Sequence, residues 1–205
     1  MKKQIFLLAF LLFSAMAGAQ TKDEKNNISF GGGKQCYNGD LGNSWFDPGE
    51  EWYGFAMVSY SRYLNRSFDA LVFCTVGDIG RCRDADADPA ILNLYARMSS
   101  GMLSVKYKFA NGYLLKDESR IAPYVFLGAG INNLTDIWTH DRVNQGNYLT
   151  INGGVGCGYN FAKRYTVAYN IGFGYFTSDR LDYVVKPKGL NDMYMQHTFS
   201  IGYNF

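Results

Sequence analysis

Hydrophobic and polar positions alternate with period two over long stretches of this chain, most clearly in its last third. Tyr165, Val167, Tyr169, Ile171, Phe173 and Tyr175 share one face, and Thr166, Ala168, Asn170, Gly172 and Gly174 share the other. The terminal segment repeats the pattern: Met193, Met195, Phe199, Ile201, Tyr203 and Phe205 oppose Gln196, Thr198, Ser200, Gly202 and Asn204, with His197 alone interrupting the apolar face. Between Leu149 and Phe161 the apolar Leu149, Ile151, Val155, Cys157, Tyr159 and Phe161 are set against Thr150, Asn152, Gly154, Gly156, Gly158 and Asn160. This rhythm belongs to strands whose two faces meet different surroundings. Fainter alternation predicts further strands near residues 27–35, 51–64, 67–79, 92–110 and 121–135, which makes about eight in all. Leu92, Leu94, Ala96 and Met98 hold the opposite phase to Leu103, Val105, Tyr107 and Phe109, a slip that a β-bulge would explain.

The connections alternate in length. Short ones fall at Asn65-Arg66 and Ala162-Lys163-Arg164, and longer polar ones near 36–50, 80–91, 136–147 and 179–192. The 110–120 link, with Asn111-Gly112, is intermediate. Short turns on one rim and long loops on the other are the pattern of an all-β, up-and-down antiparallel barrel inserted into a membrane from the periplasm. Volume decides which face looks inward. An eight-stranded barrel has room only for its own side chains, so the Gly, Ala, Thr and Asn face fits inside and the face bearing Tyr165, Tyr169 and Phe173 must look outward to lipid. Ten steps from Tyr165 to Tyr175, at about 3.3 Å each and about 40° of tilt, rise roughly 25 Å, the height of a membrane barrel's apolar band.

Composition agrees: 16 Tyr, 15 Phe and 23 Gly stand beside only 4 Pro. The first residues have the layout of an export signal, with Lys2 and Lys3, the apolar run Ile5 to Phe13, and small residues from Ala15 to Ala19. Cleavage is expected after Ala17-Gly18-Ala19, before Gln20, which leaves residues 20–205 as one barrel domain. Losing Lys2 and Lys3 leaves 18 basic against 18 acidic residues, a balance that gives no ground for a nucleic-acid partner. The expected location is the outer membrane of a Gram-negative bacterium, with outer-membrane lipid and lipopolysaccharide as surroundings.

The chain finishes on Phe205, preceded at alternate positions by Tyr203, Ile201 and Phe199. This resembles the terminal signal by which the barrel-assembly machinery selects its substrates. Five stretches resemble the N-terminal barrel of the outer membrane protein A (OmpA) family: R-Y-L-N-R-S-F-D at 62–69, L-S-V-K-Y-K-F at 103–109, A-P-Y-V-F-L-G-A-G-I at 122–131, G-F-G-Y-F-T-S-D-R-L-D at 172–182 and N-D-M-Y at 191–194. The resemblance implies a small barrel serving envelope integrity, surface contact or adhesion. Many members of that family continue into a peptidoglycan-binding domain; this chain stops at its last strand, so that tether is not expected here.

Candidate chemistry is sparse. His140 has Asp136 and Asp141 nearby, but no second His or Cys stands at ligand spacing, so a solvated loop is expected and no metal. Asp84, Asp86 and Asp88 imitate the opening of a calcium loop, yet Pro89 and Tyr95 occupy the places that need Gly and Glu. Some eight-stranded barrels are lipid A deacylases with a His-x-Ser pair. Here His197 is followed by Thr198 and Phe199, and Ser200 falls on the opposite face of the strand, so no dyad is expected. Cys36 and Cys82 both belong to the outer rim and form the candidate disulfide; Cys74 and Cys157, on strands that are not neighbours, are expected to be free. Arg62, Asp69, Arg97, Lys106 and Lys108 are candidates for paired charges in the lumen, which would block it. The expected function is therefore non-enzymatic and without cofactor, structural or surface-interacting through ligands met by the long loops. The alternatives are a lipid-modifying enzyme and a narrow channel.

Overall fold

The computed structural model describes residues 25–38, 52–81, 94–116, 119–139, 142–162, 164–177 and 192–205. These form eight strands: β1 (Asn26–Asn38), β2 (Tyr53–Tyr63), β3 (Phe68–Arg81), β4 (Leu94–Lys108), β5 (Ile121–Thr139), β6 (Arg142–Ala162), β7 (Tyr165–Phe176) and β8 (Met193–Asn204). Each pairs antiparallel with the next, and β8 returns to pair with β1, so the sheet closes without an edge. The cleavage site at Ala17, Ala19 and Gln20 lies outside the described residues, as do Cys82, His140, Asp141 and the three aspartates at 84, 86 and 88.

The inside-out assignment holds. Phe30, Leu103, Leu127, Ile131, Val155, Phe199 and Ile201 lie exposed on the exterior, whereas Ser29, Ser59, Ser104, Thr150, Asn152, Thr198 and Ser200 are buried within. Around the short-turn rim the exterior carries aromatic rings in mutual contact: Phe161 stacks on Tyr165 at 5.9 Å, Tyr165 meets Tyr203 at 5.4 Å, and Phe68 meets Tyr107 at 5.3 Å. An apolar belt bordered by such a girdle is a lipid-facing surface. Val155 sits in that belt, paired with Ile171 and Val125. Replacing Val155 by Arg is expected to lower stability in lipid vesicles by about 2–4 kcal/mol, measured by denaturant unfolding.

Three expectations change. The stretch 136–147 is mostly strand, because β5 and β6 run on as a hairpin in which Trp138 faces Val143 and Ile137 faces Asn144. Asn133 Nδ2 donates to Asn147 Oδ1 across that hairpin at 2.8 Å. Polar residues there read as loop, but a strand pair held by its backbone ladder needs no apolar face. Secondly, β4 does shift register against β5 between Tyr95 and Arg97, yet the phase change at Ala96 and Met98 has another cause. Both residues point inward together with Ser100, Met102 and Ser104 and are fully buried, so the apolar character itself has moved to the inner face. Thirdly, Arg62 and Arg97 lie on the exterior. Arg62 is in phase with Val58 and Tyr60, and Arg97 pairs with Asp78 at 3.6 Å near the loop end.

The short-turn rim is tied by side chains. Asn65 Oδ1 accepts from the backbone N–H groups of Ser67 and Phe68 at 2.9 Å, which closes the β2–β3 turn. In the β4–β5 link the fully buried Asn111 caps Tyr113 and Leu114 and reaches across to the Ser67 hydroxyl at 3.2 Å. Gly112 beside it has φ 78°, a conformation that L side chains rarely adopt.

Candidate functional site

The lumen is the place where chemistry-bearing residues gather, and it has two unlike ends. Toward the long loops it is filled by an apolar cluster of Tyr37, Ile79, Met98, Leu134, Phe176 and Tyr194, each at most 2% exposed, together with Ala96. The rings of Phe176 and Tyr194 lie 5.4 Å apart, and Tyr148 packs on Phe176 at 5.9 Å. Such bulk inside a narrow barrel needs gaps elsewhere, and inward glycines supply them: a Cβ on Gly174 would run into the ring of Tyr194.

One pleat further in, at positions two residues along the same strands, the lining turns polar. The Ser100 hydroxyl donates to Asn132 Oδ1, and Asn132 Nδ2 donates to Thr150 Oγ1 at 2.7 Å. Gln196 Nε2 donates to Gln35 Oε1 at 2.6 Å. These pairs satisfy most of the layer's buried polar groups, while the Thr75 hydroxyl at the level of Ser100 has no hydrogen-bond partner. Tyr37 at the loop end donates its hydroxyl to Asp192.

Below the polar ring a cavity of about 1380 Å³ reaches the short-turn rim. Asp69 stands between two cations there: Lys106 Nζ lies 3.0 Å from Oδ2, and Lys108 Nζ 2.5 Å from Oδ1. Lys106 also donates to the Ser61 hydroxyl at 3.3 Å and covers the ring of Tyr124 at 5.3 Å, while Lys108 lies over Tyr63 at 4.4 Å. Tyr124 donates its hydroxyl to Asn170, and the two fit only because Gly156 has no side chain to press on them. Of the five charges expected in the lumen, Asp69, Lys106 and Lys108 are there and paired. The apolar layer above them is not among the sequence expectations; its signals are apolar residues at inward parity, namely Ala96, Met98, Phe176 beside Tyr175, and Tyr194 between Met193 and Met195.

Asp69 carries both lysines, so its loss leaves two partly buried cations facing each other. Asp69→Asn is expected to cost about 1–3 kcal/mol, reduced from the fully buried case because the cavity admits solvent, and urea unfolding measures it.

The sequence matches no known family model, and no curated protein matches it. Solved structures do match. Neisserial surface protein A superimposes with a TM-score of 0.61 at 10% identity, over 88% of this chain and 97% of that one. The N-terminal β-barrel domain of Pseudomonas aeruginosa OprF gives 0.53 at 15% identity, over 90% and 100%. Ail, the attachment invasion locus protein of Yersinia pestis, gives 0.53 at 14% identity, over 88% and 98%, in its complex with the heparin analogue sucrose octasulfate. The fold is that of the small outer-membrane barrels.

His197 points outward: its Nδ1 meets the Tyr169 hydroxyl at 2.5 Å, and its ring lies 4.9 Å from that of Trp52. Ser200 is buried on the inner face, so the two form no dyad. Cys74 and Cys157 are free and exposed on the exterior. Cys36 is buried at the loop end of β1 beside Met195; its candidate partner Cys82 is outside the described residues. Phe199, Ile201, Tyr203 and Phe205 lie along one outward line of β8 and its end, and Phe205 exchanges backbone hydrogen bonds with Asn26 where the barrel closes.

Proposed function

We propose that the protein is an integral outer-membrane barrel of a Gram-negative bacterium, related to the OmpA-type barrels, that acts without catalysis as an envelope or surface-contact element. The observation that carries this reading is the apolar layer across the loop end of the lumen. A barrel shut there is a support for its outer loops and not a conduit. On this reading the long loops meet extracellular ligands, the belt contacts outer-membrane lipid and lipopolysaccharide, and Phe199, Ile201, Tyr203 and Phe205 form the signal read by the barrel-assembly machinery. The outward placement of His197 between Tyr169 and Trp52, away from the lumenal hydroxyls and carboxylate of the described residues, weighs against a deacylase.

The test is to fold the mature chain into detergent, compare gel mobility with and without boiling, and then measure conductance in planar bilayers. A heat-modifiable band without conductance above a blank bilayer supports the reading. Steady ohmic conductance from the folded form rejects it in favour of a narrow channel, and release of acyl chains from lipopolysaccharide rejects it in favour of the enzyme.

A further inference from the structure

We propose that the cavity at the short-turn end of the lumen is a binding site for a small, oxygen-rich anion bearing clustered phosphate or carboxylate groups. It concerns the end of the barrel away from the loops and goes beyond the role assigned to them. Among the described residues, Lys25, Arg66, Lys106, Lys108 and Arg120 line the cavity against a single carboxylate, Asp69. A concave wall of net positive charge, set in the low dielectric of a membrane barrel, focuses its field and concentrates anions. The site is blind, since the apolar layer of Phe176 and Tyr194 closes its far end, so an anion that enters is held and not passed on.

The donors are graded with depth. Lys25, Arg66 and Arg120 belong to the rim, at the start of β1, in the β2–β3 turn and just before β5. Lys106 and Lys108 lie further in and share one carboxylate, which leaves a full positive charge there. Deeper still, the wall residue Asn152 is 4% exposed, and its amide Nδ2 has no hydrogen-bond partner. An asparagine χ2 torsion is soft, so a small turn offers that donor to a ligand oxygen.

The shared carboxylate makes the proposal testable with opposite signs. Lys106→Gln leaves the Asp69–Lys108 pair intact and removes the surplus charge, so anion affinity falls. Asp69→Asn removes the competing anion, so affinity rises, and an added anion restores part of the stability that this substitution costs. The experiment is titration calorimetry on the folded protein in an uncharged maltoside detergent, with sodium tripolyphosphate and with trisodium citrate. The expected result is saturable one-to-one binding that weakens with salt, falls about tenfold or more in Lys106→Gln and strengthens in Asp69→Asn. Binding of both probes supports a site for dense anionic oxygens in general; binding of one alone assigns it to phosphate or to carboxylate. Each variant is first checked for heat-modifiable mobility, and Lys108→Gln, which also leaves a pair, replaces Lys106→Gln if that fails to fold. No saturable binding of either probe to the wild-type protein overturns the proposal. So does binding that the Lys106 and Asp69 substitutions leave unchanged, because the rim charges alone would then account for it.

Discussion

Replacing Gly33 by alanine is expected to open the seam at which the barrel closes, whereas the same added methyl at Gly54 is expected to be harmless. Gly33 lies on the inner face of β1 opposite Thr198 of β8, and a Cβ there would press into the carbonyl of His197 and sit 3.1 Å from the Thr198 Cα. Those are backbone atoms of the closing strand, so no side chain can move aside and relief requires that β1 and β8 separate. Overpacking ordinarily costs about 1–3 kcal/mol, and a clash confined to backbone belongs at or above the top of that range. Gly54 faces the exterior with nothing within 4 Å of a Cβ. There the lower chain entropy of alanine stabilises the strand by up to about 1 kcal/mol. Denaturant unfolding of both variants, with the heat-dependent mobility shift as the check on closure, measures the difference. Equal stability of the two would show that β1 and β8 are not held as close as their register implies.

The same glycine bears on what was legible in the sequence. Period-two alternation located all eight strands, with the start of β6 the one bound far off, because lipid on one side and a narrow lumen on the other impose opposite demands on successive side chains. Volume sets the faces, since a complete layer of rings like Tyr165, Tyr169 and Phe173 cannot be housed inside eight strands. Single rings are nonetheless housed where a glycine lies opposite: Tyr194 over Gly174, and Tyr124 beside Gly156. Such pairs join residues far apart in the chain, so no local pattern announces them. The charge triad was visible only as a list of candidates. Asp69, Lys106 and Lys108 met because β3 and β4 are neighbours with Asp69 opposite Lys106, while Arg62 and Arg97 stand at the outward parity of their strands. A one-residue error in phase exchanges inside for outside, and that is how those two were misplaced. The β5–β6 extension is not legible for a related reason: Thr135, Asp136, Asn144, Gln145 and Asn147 interrupt the period-two alternation there.

The apolar layer at the loop end leads to the second large effect. Phe176→Ala combined with Tyr194→Ala is expected to turn a silent barrel into a conducting one. Both rings are almost fully buried and in contact, so removing both takes the largest share of bulk out of the layer that separates the loop end from the cavity below. The opened path would run past Ser100, Asn132, Thr150, Gln35 and Gln196, whose polar atoms can hold water, into the cavity lined by Lys106 and Lys108. Because cations outnumber carboxylates among the described residues of that cavity, the opened pore should favour anions. A salt gradient across a planar bilayer would then give a reversal potential displaced toward that of chloride. The same double substitution should lower stability by several kcal/mol, since truncating one buried ring typically costs about 3–5 kcal/mol. Ile171→Ala, on the lipid-facing side of β7 opposite Val155, truncates an apolar side chain without touching the layer and should leave conductance at its original level. If the double variant folds and stays silent, the barrier lies elsewhere in the lumen, and the polar ring beneath the rings becomes the element that blocks ions. If it conducts cations in preference to anions, the charge of the cavity is not the charge that an ion meets along the path.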